Sequence, residues 1–525
     1  MSDLRRARGV HYTPAPVARY LAEIALRPWL EARAPSRRQL QVLDPACGDG
    51  ALLEAARCVF SDWREARSSS DSTTLRLVGI DVTEDAVRST RRRLESEALR
   101  GVTWDLAVGD ALASPSLPGE PFDVVVGNPP YVFGEHLVSL DRPALAERYE
   151  LGRRGQPDLF KLFYERTLGI LAPNGRHAFL VPDALLARDE HADLRRLLAR
   201  RLRVDRICQV GRVFRSAAGV SSVVVGGARA AGNDQVTIDR WDGERATRSH
   251  SLNRPWLIPS DGSPWSIDAP AKWFGPSGLR RRLEAPGVVL AHLLAPGPRG
   301  LTRGEELGKA RLAKVAETPI WAGSERDAGC TPIYAGENVH RHWLAAPSRA
   351  TDRAAVAKNP DYYAGPKILF VKTGAGPVAS TCRDDLPVLQ SVYTLHLADP
   401  IRERIDEDAV VAVLCSALLA TYCWHTWTFG KRLQPQFTLG NLRRLPLPNL
   451  ATLAAASGDL ACRVRRIRGG IAEGIDVGPI ERELDARVAQ LYGLELAEWD
   501  PLMATALSKL PSSQRSRWRR DGRPI

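Results

Sequence analysis

The sequence predicts an α/β protein, a parallel sheet wrapped on both faces by helices through the first half, followed by a second region of mixed α+β character. Three observations predict it. Strand-like apolar runs alternate with helical patterns from residue 40 to about residue 210, the alternation stops near residue 245, and 525 residues exceed what one core holds.

Taken in order, a short strand over 40–44 is followed by a helical pattern over 51–66. The run 75–80, a charged helix over 83–98, a strand over 102–108 and the apolar run 122–126 continue the alternation. A helix over 157–171, a strand over 177–181, a helix over 190–201 and a strand over 204–210 extend it. Residues 220–226 and 236–241 read as two strands joined by the turn Ala231-Gly232-Asn233-Asp234, a hairpin appended to the sheet. Pro, Gly and Trp then become frequent, as in Asn253-Arg254-Pro255-Trp256 and Pro264-Trp265. A boundary near residue 245 gives units 1–245, 246–450 and 451–525. The second half offers strand candidates at 332–335, 367–372 and 391–397, a helix over 408–428 and a last helical stretch over 479–492. The basic end, with Arg515, Arg517, Arg519, Arg520 and Arg523, either touches phosphates or frays in solvent.

Composition narrows the partners. Hydrophobic residues make up 44% and charged residues 26% of the chain, the balance of a folded, soluble protein. A formal charge of +12 favours a polyanion, although an arginine-rich composition set by genome base bias would give the same sign. The N-terminus lacks a signal-peptide core and no long apolar run follows, so a cytoplasmic protein without a membrane partner is expected. The 8 cysteines show no C-x-x-C pair, which predicts reduced thiols and no metal site.

Two segments carry chemistry. Asp44-Pro45-Ala46-Cys47-Gly48-Asp49-Gly50 leaves the first strand and opens a helix, where glycines turn tightly and let a ligand approach the backbone. The loop lacks both the G-x-G-x-x-G spacing of dinucleotide sites and the G-K-[ST] of a P-loop, and its carboxylate suits a cationic, nucleoside-like ligand. Asp81 and Asp110 end the next two strands; each either binds that ligand or caps a following helix. The fourth strand runs into Asn128-Pro129-Pro130-Tyr131. Two prolines fix the backbone, and Asn128 Oδ1 with the Pro129 carbonyl gives two acceptors for the hydrogens of an exocyclic amine. Tyr131 offers a face for a planar group, or is simply core behind a Pro-Pro turn.

These residues resemble the γ-class, TaqI-like N6-adenine DNA methyltransferases, and the resemblance spans nearly the whole chain. It implies a Rossmann-like class I methyltransferase sheet, a C-terminal target-recognition region, S-adenosylmethionine as cofactor and double-stranded DNA as partner. Tyr12-Thr13-Pro14 resembles the family's early motif, with Thr13 contacting the cofactor, while Pro14 also suits a helix start. By the same resemblance Asp44, Ala46 and Cys47 line the methionine side, Asp81 the ribose, Asp110 the adenine, and Pro130 the floor, with Gly48 also binding the cofactor. Asn128, Pro129 and Tyr131 hold the target base, and Phe214 presents a second aromatic.

Three stretches of the second half are similar to the recognition region: 301–305, 333–339 and 437–448. Lys431, Arg432, Arg443 and Arg444 are its candidate phosphate contacts, or a solvated basic face. The resemblance further implies a restriction-modification or phage-defence setting with restriction or defence proteins encoded separately, and no nuclease element is seen in this chain. The rival readings are methylation of a protein glutamine or of an RNA base, and a DNA-binding defence subunit that keeps the fold without catalysis.

Overall fold

A computed structural model of the chain describes residues 13–31, 39–66, 73–96, 100–113, 117, 120–131, 142–153, 158–212, 221–229, 232, 234–307, 312–314, 330–374, 376–428, 436–499, 501–502, 504, 519–520 and 523–524. The chain divides into two compact units, Met1–Ile267 and Asp268–Ile525.

In the first unit α1 (Ala15–Glu31) precedes β1 (Gln39–Asp44), α2 (Ala51–Glu65), β2 (Thr74–Asp81), α3 (Glu84–Glu95), β3 (Val102–Val108) and β4 (Phe122–Gly127). There follow α4 (Arg142–Arg148), α5 (Leu159–Gly169), β5 (Leu171–Pro182), α6 (Ala192–Arg201), β6 (Arg203–Gly211), β7 (Ser222–Ala228), β8 (Gln235–Trp241) and β9 (Ala246–Asn253). These strands form one sheet in the order β3-β2-β1-β4-β5-β7-β6-β8-β9. β1 to β5 are mutually parallel, which brings the ends of β1, β2, β3 and β4 to one edge.

β7 runs antiparallel between β5 and β6, so the sheet is mixed. The expected hairpin of β7 with β8 does not form, because β8 pairs in parallel with β6 and antiparallel with β9. Burial explains the placement: six successive residues of β7 are buried, which requires a neighbour on each side and cover on both faces. The expected boundary near residue 245 also moves. β9 continues the sheet, and the Pro- and Trp-rich segment packs back, with Trp265 fully buried and its backbone N–H donating to the Leu186 carbonyl at 2.7 Å.

α1 has an apolar face of Val17, Ala18, Leu21, Ala22 and Ala25, repeating at three and four residues. That face shares a core with Val124 and Val126 of β4 and Leu180 of β5. The helix thereby holds Thr13 against Asn128 at the end of β4.

The second unit contains an antiparallel sheet of β10 (Leu301–Arg303), β11 (Lys367–Val371), β12 (Ala379–Cys382) and β13 (Val392–Leu395), ordered β10-β13-β11-β12. A smaller sheet joins Ala313–Lys314, Arg349–Asp352 and Cys330–Ile333. The helix expected over 408–428 is broken into α7 (Glu407–Leu414) and α8 (Ala417–Cys423), with a bend of 56° between Glu407–Leu414 and Ala417–Trp427. Ser416 causes the break: its Oγ donates to the Val413 carbonyl and accepts from Leu419 N–H, ending one helix and capping the next.

α9 (Leu450–Ala472) and α10 (Gly478–Leu491) complete this unit. The expected separate segment from residue 451 does not begin as one, since α9 is tied to an earlier helix: Arg468 of α9 grips Asp408 of α7, and Asp406 N–H donates to Ser457 Oγ at 2.8 Å. Among the described residues no single helix is long and apolar enough to cross a membrane.

Candidate active site

β1 delivers Asp44 to the shared strand edge, abreast of Gly79 in β2. The loop after it is bonded almost atom by atom. Ala46 N–H donates to Asp44 Oδ1 at 3.1 Å, Cys47 N–H to the Ile80 carbonyl at 2.9 Å, and Gly48 N–H to Asp81 Oδ2 at 3.1 Å. Gly48 and Gly50 have φ of 55° and 83°, the left-handed region that favours glycine. A side chain at Gly50 would also meet Thr90 at 2.9 Å.

Helix α3 clamps this loop. Thr90 Oγ1 donates to the Gly48 carbonyl at 3.0 Å, while Arg93 donates to the Asp49 carbonyl and to its carboxylate at 2.8 and 2.6 Å. Sequence reasoning missed both residues, although one signal was present: Thr90 is the polar member of a Val87, Thr90, Leu94 apolar spacing.

Burial pushes the Asp44 carboxyl up to about 8, with Asp81 and Asp49 adding negative charge and the Ala46 N–H partly offsetting them. Burial and Asp44 also push the Cys47 thiol up, so it remains un-ionised. Asp81 is engaged at both oxygens, since Oδ1 accepts from Thr83 N–H and Oγ1, each at 2.9 Å. It therefore ties the loop to the start of α3. Asp110 Oδ1 accepts from Leu112 N–H at 2.8 Å and braces the turn after β3; among the described residues no helix follows there for it to cap. A deep carboxylate, two positive-φ glycines and further strand-end acids fit a cationic, nucleoside-like ligand. Among the described residues there is no His, Cys, Asp and Glu group that could hold a metal ion.

β4 is buried throughout and ends in the loop Asn128-Pro129-Pro130-Tyr131. At Gly127 a side chain would lie 2.6 Å from the Phe179 ring, so glycine lets that ring close against the strand. Phe179 packs on His177 and Tyr164 with centroids 4.1 and 4.9 Å away. Burial pushes His177 down to about 3, and its Nε2 lies 3.0 Å from Thr167 Oγ1.

Beyond the strand, Asn128 Nδ2 donates to Thr13 Oγ1 at 3.1 Å, joining residues 115 positions apart. Pro129 is buried and Pro130 half-buried. Tyr131 is only 8% exposed and belongs to the core cluster around α1 and β4, where burial pushes its phenol up. Stacking on a base requires this ring to turn outward.

The structure thus gathers Thr13, Asp44, Ala46, Cys47, Gly48, Asp81, Asp110, Asn128, Pro129, Pro130 and Tyr131 in the first unit. Phe214, Lys431 and Arg432 lie outside the described residues. Arg443 and Arg444 are exposed at the end of the short helix Leu439–Arg443 in the second unit.

The three recognition-like stretches act there as loop scaffolds. Glu305, 2% exposed, accepts from Lys358 N–H at 3.0 Å and from Tyr363 hydroxyl at 2.8 Å. Asn338 accepts from Ala335 N–H and donates to the Ala346 carbonyl. Thr438 and Asn441 form a reciprocal capping box, and Tyr393 hydroxyl holds the Phe437 carbonyl at 2.8 Å.

Comparison with known proteins agrees with this layout. Residues 11–139 match the RMKL-like methyltransferase domain, residues 118–214 the Eco57I restriction-modification methylase, and residues 331–447 the TaqI-like C-terminal specificity domain. The chain is 26% identical to the Type II methyltransferase M.TthHB8I of Thermus thermophilus, over 84% of this chain and 91% of that protein. It is 31% identical to the Type II methyltransferase M.PaeR7I of Pseudomonas aeruginosa over 37% of this chain, spanning about a third (35%) of that relative's length. Among solved structures, the Type IIL restriction-modification enzyme MmeI in complex with DNA shares the fold at a TM-score of 0.59 and 12% identity, covering 94% of this chain and 76% of that one.

Proposed function

We propose that the chain is a TaqI-like restriction-modification DNA methyltransferase with a C-terminal recognition domain, and that it methylates N6 of a flipped adenine in duplex DNA. Its cofactor is S-adenosylmethionine, which supplies an electrophilic sulfonium methyl.

One observation carries the reading. β1 and β4 are parallel neighbours with Leu43 abreast of Val125, so the loop that begins at Asp44 and the loop that begins at Asn128 leave the same edge side by side. Adjacent strands lie about 4.8 Å apart, a spacing that supports reading the two loops as a cofactor loop and an amine-accepting loop serving one ligand pair.

In this reading Asn128 Oδ1 and the Pro129 carbonyl accept the two hydrogens of the exocyclic amine and direct its lone pair outward. The displacement needs position more than a strong base, and the rigid Pro129-Pro130 backbone supplies position. A base paired in a duplex hides this amine, hence the flipped geometry. Asp44 faces the cofactor's cationic end, with Ala46, Cys47 and Gly48 along the methionine side and Pro130 on the floor. Asp81 meets the ribose hydroxyls, Asp110 the adenine, and Thr13 belongs to the same pocket. Tyr131 and Phe214 hold the target base, while Lys431, Arg432, Arg443 and Arg444 contact phosphates. The second unit selects the site, and separately encoded restriction or defence proteins are the expected company.

The test is transfer of labelled methyl from the cofactor to DNA, RNA and glutamine-containing protein in parallel, with digestion of the DNA to nucleosides. N6-methyladenine is expected. Label found in protein or RNA alone overturns the proposal.

A further inference from the structure

We infer that Thr13 is a positioning residue for the transfer step: its hydroxyl holds the Asn128 amide in place where it meets the substrate amine. The inference rests on the function proposed above and assigns Thr13 a task other than cofactor contact.

An asparagine side chain is nearly symmetric in shape but opposite in chemistry at its two ends, with an acceptor oxygen and a donor NH2. Turned one way, Asn128 presents Oδ1 to an amine whose hydrogens need acceptors. Turned the other way, it presents hydrogens to hydrogens. Pro129 and Pro130 act on the backbone and leave the amide free to swing about its own side-chain bonds. A hydroxyl behind the amide, able to accept or to donate, steadies it.

Thr13 makes that contact, with Nδ2 donating to its Oγ1 at 3.1 Å. Three features make it a fixed contact. Thr13 is 9% exposed, so water competes little for the bond. Its β-branched side chain is stiff at χ1, and the following Pro14 restricts its backbone. The segment is anchored by α1, where Ala18 N–H donates to the Pro14 carbonyl at 2.9 Å and Val17, Ala18 and Leu21 share a core with Val124, Val126 and Tyr131. The acceptor for Nδ2 is therefore carried on one packed body with the strand that carries Asn128.

The experiment compares Thr13→Val, which keeps the branched shape without the hydroxyl, with Thr13→Ser, which keeps the hydroxyl. Turnover is measured at saturating cofactor and DNA, and cofactor Kd separately by calorimetry. Loss of a hydrogen bond of ordinary strength should lower kcat in Thr13→Val by roughly tenfold, with cofactor Kd changed less than about threefold and most of the turnover restored in Thr13→Ser. If Thr13→Val instead weakens cofactor binding while saturated turnover stays at the wild-type level, the hydroxyl serves the cofactor and the inference fails. It fails equally if Thr13→Ser performs no better than Thr13→Val. Should Thr13→Val not fold, Thr13→Ala against Thr13→Ser gives the same comparison. Wild-type protein is run alongside: no N6-methyladenine from the wild type counts against the proposed function, whereas an active wild type matched by Thr13→Val counts against Thr13 alone.

Discussion

Replacing Asp44 by asparagine tests the cofactor end of the site through its pH dependence. Burial, helped by Asp81 and Asp49, pushes the Asp44 carboxyl up to about 8, so the apo protein holds it protonated at neutral pH. A cationic ligand binds best to the ionised form, and binding must therefore release a proton below that pKa. If only ionised Asp44 binds, each pH unit below 8 weakens apparent affinity about tenfold, or about 1.4 kcal/mol, and Kd should fall on the order of 100-fold between pH 6 and pH 9.

The folded, ligand-free protein moves the other way. Its carboxyl keeps a proton that the unfolded chain, with an ordinary pKa of about 4, has already lost. Stability should therefore decline as pH rises from about 4 to about 8. Titration calorimetry of S-adenosylmethionine across pH 6–9, in two buffers of different ionisation enthalpy, measures both Kd and proton release. Asp44→Asn should bind more weakly above pH 8 and show a flat profile. A wild-type Kd independent of pH, or the same slope in wild type and Asp44→Asn, would refute the reasoning, the latter by assigning the proton to the ligand.

Asn128→Ala should abolish detectable N6-methyladenine while leaving cofactor Kd within about threefold, since the amide is an acceptor for the base; nucleoside mass spectrometry and calorimetry separate the two. Tyr131→Ala should cost about 3–5 kcal/mol in denaturant titration, the usual range for a buried aromatic, whereas Tyr131→Phe should keep the fold. A Tyr131→Ala protein of wild-type stability would show that the ring is not core. Gly127→Ala forces a methyl toward the Phe179 ring and should destabilise by about 1–3 kcal/mol, with turnover falling as well; an unchanged melting curve counts against that close approach. Arg443→Ala and Arg444→Ala should each weaken DNA binding and lower the slope of log K against log salt by about 0.9, which fluorescence anisotropy at several salt concentrations reads directly.

Much of the first unit was legible because local chemistry and tertiary role coincide there. β1 is a short apolar run ending in an acid, and the glycines after it sit at positive φ, as a tight turn demands. The loop at Asn128-Pro129-Pro130-Tyr131 ends its strand where two prolines require an end. Other features depend on partners distant in sequence. β7 and β8 looked adjacent across a turn, but strand order is decided by which faces are buried, and β6 separates them. Tyr131 reads equally as a stacking face or as core; its packing with Val17 and Val124 decides where the ring sits. Thr90 and Arg93 reach the cofactor loop across 42 and 44 residues, which no spacing rule anticipates. The motifs at Glu305 and Asn338 were visible as patterns, yet their scaffold role appears only once their loop partners are known.

The packing behind β4 has a consequence for how the two halves of the site respond to acid. Opposite Val125 and Gly127 lie His177 and Phe179, and burial pushes His177 down to about 3. The support under the loop proposed to accept the base is therefore electrically silent from mildly acidic to alkaline conditions, while the neighbouring strand edge carries a carboxyl that changes charge near neutrality. Acidification should starve this enzyme of its methyl donor long before it disturbs the grip on the base. With the cofactor saturating, the chemical step should run at nearly the same speed on either side of neutrality.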